Sequence, residues 1–256
     1  MAGKTPKLRE APLPRLSASK LKLYEACPKR YAWRYVLGHK DYPNIYGFLG
    51  SSVHKAIQNK YLNPEGSTAY YFQQAFSSML SPDIDQANKA QDLYAQAMLW
   101  IEAFDHSQYS PLMVDGKPVL EKYFRLPYSI DGEPICTLEG YIDFVGDTGG
   151  SLFAVDWKTG KEVYSKRKVQ KDLQFIIYAW ALEQLYHRKP DYIIYHRLRS
   201  QTKYAGYVFD RSPLDAIILR LLQDPLEYTH SICSASCPSY CGIRKYASET
   251  KEVRSD

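Results

Sequence analysis

The sequence has 256 residues, of which 45% are hydrophobic, so it can bury one full core and lies near the upper size limit of a single domain. Lys and Arg outnumber Asp and Glu by 33 to 28, a mild excess that does not by itself indicate a nucleic-acid partner. No apolar stretch resembles a signal-peptide core or reaches the length of a membrane span. We therefore expect a soluble, cytoplasmic protein with no membrane partner.

The first half of the chain is predicted to be mainly helical. Residues 1–16 are charged and Pro-rich, which is typical of a flexible arm. Ser17 or Ser19 can cap a helix that extends to about residue 37. Two more helical patterns cover 50–61 and 68–106, the latter with a break at Ser81-Pro82.

After Pro111 the hydrophobic period changes from helical to extended. Three predicted strands, joined by DGEP and DTGG turns, form an antiparallel meander. A strongly apolar helix, two more strands and a last helix follow. The predicted strands are 118–129, 135–146, 151–157, 192–200 and 204–210, and the helices are 171–187 and 212–223. This order predicts an α/β fold with a mixed sheet.

A carboxylate and a lysine stand two residues apart in VDWKTG, at Asp156 and Lys158. Because side chains alternate across a strand, both should project from one face, with Trp157 packed on the other. Asp143, in EGYIDFVG, lies on the preceding strand, and the DTGG turn would fold it next to Asp156. Converging carboxylates need a cation between them, and hard oxygen ligands favour Mg²⁺ or Mn²⁺. With Lys158 facing an anionic transition state, the chemistry that fits is phosphodiester hydrolysis.

The acid-x-Lys tripeptide is weak evidence by itself. It also occurs at 115–117, in a predicted turn, and at 249–251, in a charged tail. Only Asp156 follows an apolar pair and has a partner acid on the neighbouring strand. Without further context, a strand-end salt bridge between Asp156 and Lys158 would explain the pair equally well.

Five segments provide that context, because in this order they resemble the RecB-like branch of the PD-(D/E)XK nucleases. They are LSASKLKLYEACPKRYAWRYVLG, GSSVHKAI, GYIDFV, VDWKTG and QFIIY. The resemblance implies a restriction-endonuclease-like mixed sheet flanked by helices, with a helical elaboration, and DNA as the partner. The expected nuclease domain spans 17–246, with a helical part at about 17–110, a catalytic core at about 115–225 and cysteines at 233–241. Residues 247–256 are expected to be a disordered tail.

The resemblance also implies roles for further residues. His54 and the backbone carbonyl of Trp157 would join Asp143 and Asp156 as ligands of Mg²⁺ or Mn²⁺. Gln174 and Tyr178, four residues apart on one helix face, would position Lys158, the water or the DNA strand. A basic run between Lys158 and Gln174 would hold phosphates near the scissile bond; it comprises Lys161, Lys166, Arg167, Lys168 and Lys171.

Cysteines form a second candidate site, and thiolates there could bind Zn²⁺ or an iron-sulfur cluster. The resemblance, here to CRISPR-associated RecB-like exonucleases and the AddB nuclease domain, implies a [4Fe-4S] cluster that clamps the N- and C-terminal segments together. After Cys241, five residues lead to Ala247, where that pattern has a cysteine, so the spacing is altered or the site is degraded. The candidate ligands are Cys27, Cys233, Cys237 and Cys241, whereas Cys136, on a predicted strand, is interpreted as a small buried hydrophobe.

These patterns favour a metal-dependent deoxyribonuclease, with an exonuclease on single-stranded DNA ends as the form that the resemblance implies. It would act in recombination, repair or replication. A helicase could be its partner, since the sequence has no phosphate-binding GxxxxGK[ST] loop of its own. One alternative is a CRISPR-adaptation nuclease that trims spacer precursors. The other is a catalytically idle iron-sulfur DNA-binding subunit.

Overall fold

The protein is built around one mixed β-sheet. The structure, a computed structural model, describes residues 12–40, 45–79, 87–207 and 210–226. The sheet has six strands: β1 (Arg15–Leu16), β4 (Leu120–Ile130), β5 (Glu133–Thr148), β6 (Ser151–Lys158), β7 (Tyr192–Arg197) and β8 (Thr202–Gly206). A separate small hairpin consists of β2 (Met113–Val114) and β3 (Lys117–Pro118).

The long strand β5 organises the sheet. Phe144 on β5 pairs with Leu120 of β4 on one side and with Val155 of β6 on the other, and both pairings are antiparallel. β1 runs parallel to β5, β6 runs parallel to β7, and β7 pairs antiparallel with β8. The parallel β6–β7 pair requires a crossover connection, which helices provide.

Helices cover both faces of this sheet and bury two hydrophobic cores against it. One core contains residues of α1 (Ala18–Ala26), α7 (Leu173–Tyr186) and α8 (Ser212–Gln223). The other contains residues of α3 (Ile45–Leu62), α4 (Thr68–Met79) and α5 (Ala87–Glu102). The remaining helical segments are short: α2 (Pro28–Tyr31), a π-helical turn (Ala32–Val36), a 3₁₀ turn (His106–Gln108) and α6 (Lys166–Lys171).

The predicted α/β fold with a mixed sheet flanked by helices is confirmed, as is the antiparallel meander β4–β5–β6. The predicted helix over 17–37 is wrong in its middle. It starts with Ser17 as the cap but ends at Cys27, and Pro28 opens a new helix. Proline disfavours helical backbone in the preceding residue and has no N–H to donate, which accounts for the break.

Other predictions concern the N-terminal arm and segments outside the described residues. Leu16, assigned to a flexible arm, is buried and pairs with Leu138 as part of β1. The predicted break at Ser81-Pro82, the cysteines at 233–241 and the tail 247–256 lie outside the described residues. Within the described ranges, no helix combines the length and the apolar character needed to cross a membrane.

Candidate metal centre

Side chains of strand β6 alternate between a polar side and an apolar side of the sheet. Asp156 is fully buried, and Lys158 is half-buried at the strand end with its Nζ 2.8 Å from Asp156 Oδ2. Trp157, between them, is fully buried among aromatic rings that include Phe144 and Phe104. The strand therefore presents a carboxylate and an ammonium to one side and a packed indole to the other.

Helix α7 completes a hydrogen-bond network around Asp156. Lys158 Nζ donates to Gln174 Oε1 at 3.1 Å, and Gln174 Nε2 donates to Asp156 Oδ1 at 2.8 Å. The Tyr178 hydroxyl accepts from Gln174 Nε2 at 2.9 Å and lies 3.5 Å from Asp156 Oδ1. Asp172 caps the first turn of α7 and so fixes the position of Gln174. The structure thus brings together Asp156, Lys158, Gln174 and Tyr178.

A second set of donor atoms lies beside this network. One ligand atom each from His54, Glu121 and Asp143 lies within 4.8 Å of the others, a geometry that can hold a metal ion. His54 Nε2 is 2.7 Å from the backbone oxygen of Trp157, and His54 Nδ1 is 3.3 Å from Asp143 Oδ2. Asp143 Oδ2 also accepts the Trp157 backbone N–H at 3.0 Å. His54 on α3 therefore reaches the sheet at the point where β5 and β6 place their acids.

Glu121 is a member of this group that the sequence did not indicate. Leu120 pairs with Phe144 and Lys122 with Ile142, so Glu121 on β4 lies opposite Asp143. Its φ of 46° is left-handed, a conformation that destabilises a non-glycine residue by about 1–2 kcal/mol. A strained backbone beside converging ligands is typical of functional sites. Counting back from Asp143 across the predicted meander was the signal that could have identified Glu121.

The carboxylates of this centre repel one another and lack full solvation. Burial, with a contribution from Asp143, raises the pKa of Glu121 to about 7. Burial also raises the pKa of Asp156 to about 6, with Asp143 adding to the effect and Lys158 opposing it. Burial acts to lower the pKa of Lys158, but Asp156 and Asp143 outweigh it and the net pKa is raised. The local balance is therefore one of excess negative charge, which a cation would neutralise.

The residues present fit a divalent cation. Asp156 is fully buried, and among the described residues Lys158 Nζ forms its ion pair, 2.8 Å from Oδ2. One ammonium does not balance Asp156, Asp143 and Glu121 together, so a bound cation would relieve the remaining repulsion between these acids. The donor set of carboxylate oxygens, one imidazole and one backbone carbonyl suits Mg²⁺ or Mn²⁺.

The basic run and Cys27 are not part of the hydrogen-bond network around Asp156 or of the His54, Glu121 and Asp143 group. The side chains of the run are exposed: Lys161 in the loop after β6, and Lys166, Arg167, Lys168 and Lys171 on α6. Lys161 helps to line a groove that also contains Tyr46 and Arg199. Cys27 is half-buried at the junction of α1 and α2, and Cys136 is fully buried on β5. Cys233, Cys237 and Cys241 lie outside the described residues, so no cluster geometry is described.

Carboxylates, a histidine and a lysine thus lie close together at the sheet, and a comparison with known families assigns the chain to one of them. The chain belongs to the PD-(D/E)XK nuclease superfamily, whose model matches residues 15–243. No curated protein matches the sequence. Thirty solved chains match. One, described as "Crystal structure of SSO0001", is 12% identical, with 84% of this chain and 96% of that chain covered at a TM-score of 0.32.

Proposed function

We propose that this protein is a deoxyribonuclease that uses Mg²⁺ or Mn²⁺ held by His54, Asp143, Asp156 and the Trp157 carbonyl, with Glu121 as an adjoining ligand. The observation that carries the proposal is the cluster of His54, Glu121 and Asp143 ligand atoms beside the fully buried Asp156 and its partner Lys158. A merely structural salt bridge between Asp156 and Lys158 does not need Asp143, Glu121 and His54 to be clustered beside it. Membership of a nuclease superfamily supports the same function.

The protein residues have separable tasks in this proposal. The bound cation would polarise the scissile phosphate and lower the pKa of a water molecule. Lys158, held between Asp156 and Gln174, would stabilise negative charge as it develops in the transition state. Tyr178 and Gln174 fix the Asp156 carboxylate and the ammonium in one geometry, so that neither must reorganise during the reaction.

The proposed substrate is DNA, with single-stranded ends as the preferred form and exonucleolytic cleavage as the mode. Three exposed lysines and one exposed arginine on α6 can contact phosphates, which supports a polyanionic substrate. The preference for ends, and a role in recombination, repair or replication beside a helicase partner, rest on the resemblance to RecB-like nucleases. Trimming of spacer precursors in CRISPR adaptation would use the same chemistry.

The test is cleavage of end-labelled DNA. Single-stranded, double-stranded and circular single-stranded substrates are incubated with Mg²⁺, Mn²⁺ or EDTA. We expect the wild type to shorten linear single strands only when a metal is present and to leave the circles intact. Asp156→Asn should lower cleavage at least about a thousandfold, because it removes a metal ligand and the carboxylate that holds Lys158.

A matched control exists in the same chain. Asp115 and Lys117 repeat the acid-x-Lys spacing but lie in the small hairpin β2–β3, and the left-handed backbone of Asp115 tolerates asparagine. Asp115→Asn should therefore cleave like the wild type. Equal activity of Asp156→Asn and wild type would refute the catalytic assignment. Metal-independent DNA binding without cleavage would instead support the idle-subunit alternative.

We also propose that Cys27 is one ligand of a [4Fe-4S] cluster completed by Cys233, Cys237 and Cys241. Support comes from the half-buried position of Cys27 at the α1–α2 junction, where α1 also packs against α7 and α8. Protein purified without oxygen should contain iron and sulfide, absorb visible light and lose both properties in Cys27→Ala. Cys136→Ala is the control, because Cys136 is buried inside the sheet. Zinc in place of iron would refute the cluster.

A further inference from the structure

An aromatic pair lies on the β4–β5 hairpin next to the candidate metal centre. Tyr123 and Tyr141 are direct cross-strand partners, with ring centroids 5.0 Å apart. Tyr123 follows Glu121 by two residues, and Tyr141 precedes Asp143 by two, a separation of about 7 Å along each strand. The aromatic pair therefore lies two residues along the hairpin from the proposed metal ligands.

Hairpin stability explains only part of this arrangement. A cross-strand aromatic pair contributes about 0.2–1 kcal/mol through the contact between its rings. Yet Tyr123 is 42% exposed and Tyr141 is 57% exposed, so much of each ring faces solvent. Two large aromatic surfaces, open and adjacent, are the kind of feature that marks a binding site.

The exposed rings line a groove that leads to the centre. It has a volume of about 510 Å³ and lies between the hairpin and the start of α1. Gln174 and Tyr178, the residues bonded around Asp156, line the same groove. A ligand that lies across the tyrosines thus continues towards the Asp156 network.

Charge at this groove suits a polyanion whose bases face the protein. Lys22 and Arg125 line it, and the Arg125 guanidinium lies 5.7 Å from the centre of the Tyr123 ring. Glu139 also lines the groove, and its carboxylate is paired with Arg125 Nε at 3.0 Å. Lys22 is bound to Asp172, which keeps the ammonium at the groove. Aromatic faces interleaved with cations are how proteins bind single strands without reading their sequence.

We propose that Tyr123 and Tyr141 form a stacking platform for the bases of single-stranded DNA whose backbone continues into the candidate metal centre. This inference rests on the proposed nuclease function and names the residues that would select single strands as substrate. In a duplex the faces of the bases are stacked on one another and are not available to the tyrosines. The platform would therefore discriminate between unpaired and paired DNA without contacting base edges.

The test compares two oligonucleotides of equal length and charge. One is a labelled oligothymidylate, and the other is an abasic strand that keeps every phosphate but has no bases. Binding to the full chain is measured by fluorescence anisotropy in EDTA, so that no cleavage occurs. We expect Tyr123→Ala and Tyr141→Ala each to weaken oligothymidylate binding about tenfold, within the range known for base stacking, and to leave abasic binding unchanged.

Control variants separate stacking from folding. Tyr123→Phe and Tyr141→Phe keep the rings and should bind like the wild type. Tyr70→Ala removes an equally exposed tyrosine that also contacts a neighbouring tyrosine but lies on α4, outside the groove lining, and should have no effect. Equal weakening of both oligonucleotides by the alanine variants, or weakening of neither, would overturn the platform.

The two proposals fail differently. If the wild type cleaved single strands but bound oligothymidylate and abasic strands equally well, the proposed nuclease function would stand and the stacking platform would be refuted. A wild type that neither binds nor cleaves DNA would refute both. Loss of duplex binding by the same factor in the alanine variants would also overturn the platform, because paired bases offer no free face for stacking.

Discussion

The two sides of strand β6 are built on opposite principles. On the side of α7, Asp156 and Lys158 form an ion pair, and each of them forms a hydrogen bond with Gln174. On the other side, Val155 and Trp157 are fully buried in an aromatic core. Neighbouring residues of one strand thus lie alternately in a polar network and in a packed core.

This difference shows how the fold accommodates an unfavourable site. The carboxylates on the polar side have raised pKa values because burial and mutual repulsion disfavour their charged forms. The aromatic side offsets that penalty by burying large rings in close contact. Substitutions on the aromatic side should therefore change stability, and substitutions on the polar side should change activity.

Removal of the indole should have the largest effect on stability. Trp157→Ala leaves a cavity among Tyr61, Phe104 and Phe144, so we expect the free energy of unfolding to fall by about 3–5 kcal/mol. Urea denaturation followed by circular dichroism measures this change. Leu99→Ala, which removes a mostly exposed leucine of α5, should change it by less than about 0.5 kcal/mol. Similar losses in the two variants would contradict the assigned role of the aromatic side.

On the polar side, Lys158→Met should lower cleavage about a hundredfold to a thousandfold, the effect of removing one preorganised charge from a transition state. Metal binding should persist, because the variant keeps every proposed ligand and removes a cation that competes for Asp156. Steady-state cleavage and the Mn²⁺-induced rise in Tm measure the two properties. Loss of the Tm rise together with activity would show that Lys158 supports the metal site and not the transition state.

The two sides should also respond oppositely to acid. His196, on the aromatic side, is fully buried against Tyr109 and Gln201, and burial lowers its pKa to about 4. Since the folded pKa lies below the unfolded value, its contribution to stability is present above about pH 6.5 and is lost as the pH falls towards 4. The raised pKa values of Asp156 and Glu121 have the opposite sign, because the metal-free protein loses stability as the pH rises through 6 to 7.

A substitution isolates the histidine from the acids. His196→Gln cannot take up a proton, so between pH 7 and pH 4 the wild type should lose about 3 kcal/mol more stability than the variant. Urea denaturation of both proteins at the two pH values measures the difference. Parallel pH dependence of wild type and variant would show that His196 does not contribute to acid sensitivity.

The sequence alone predicts the difference between the two sides of β6, because period-two alternation places Asp156 and Lys158 on one side of any strand and Trp157 on the other. The meander followed from turn residues, and the structure bears it out. Asp156, Lys158, Gln174 and Tyr178 are brought together as expected in space, whereas their catalytic roles stay predictions.

Other features depend on tertiary structure that local patterns do not encode. Glu121 has a left-handed backbone that its neighbours in sequence do not specify, although the register of the predicted meander places it opposite Asp143. Leu16 belongs to a two-residue strand, too short for any alternation to be visible. Cys27 ends a helix because of the proline that follows it, and helical periodicity alone did not reveal this break.

The smallest expected effects come from two tyrosine hydroxyl groups, one on each side of β6. Tyr178→Phe removes the group that accepts from Gln174 at 2.9 Å and lies near Asp156, so cleavage should fall about fivefold, equivalent to about 1 kcal/mol. Tyr61→Phe removes a hydroxyl that donates to the His106 carbonyl at 2.7 Å on the aromatic side. It should lower the free energy of unfolding by about 1 kcal/mol and leave cleavage unchanged. If Tyr61→Phe reduced cleavage as much as Tyr178→Phe did, the two sides would not be functionally separate.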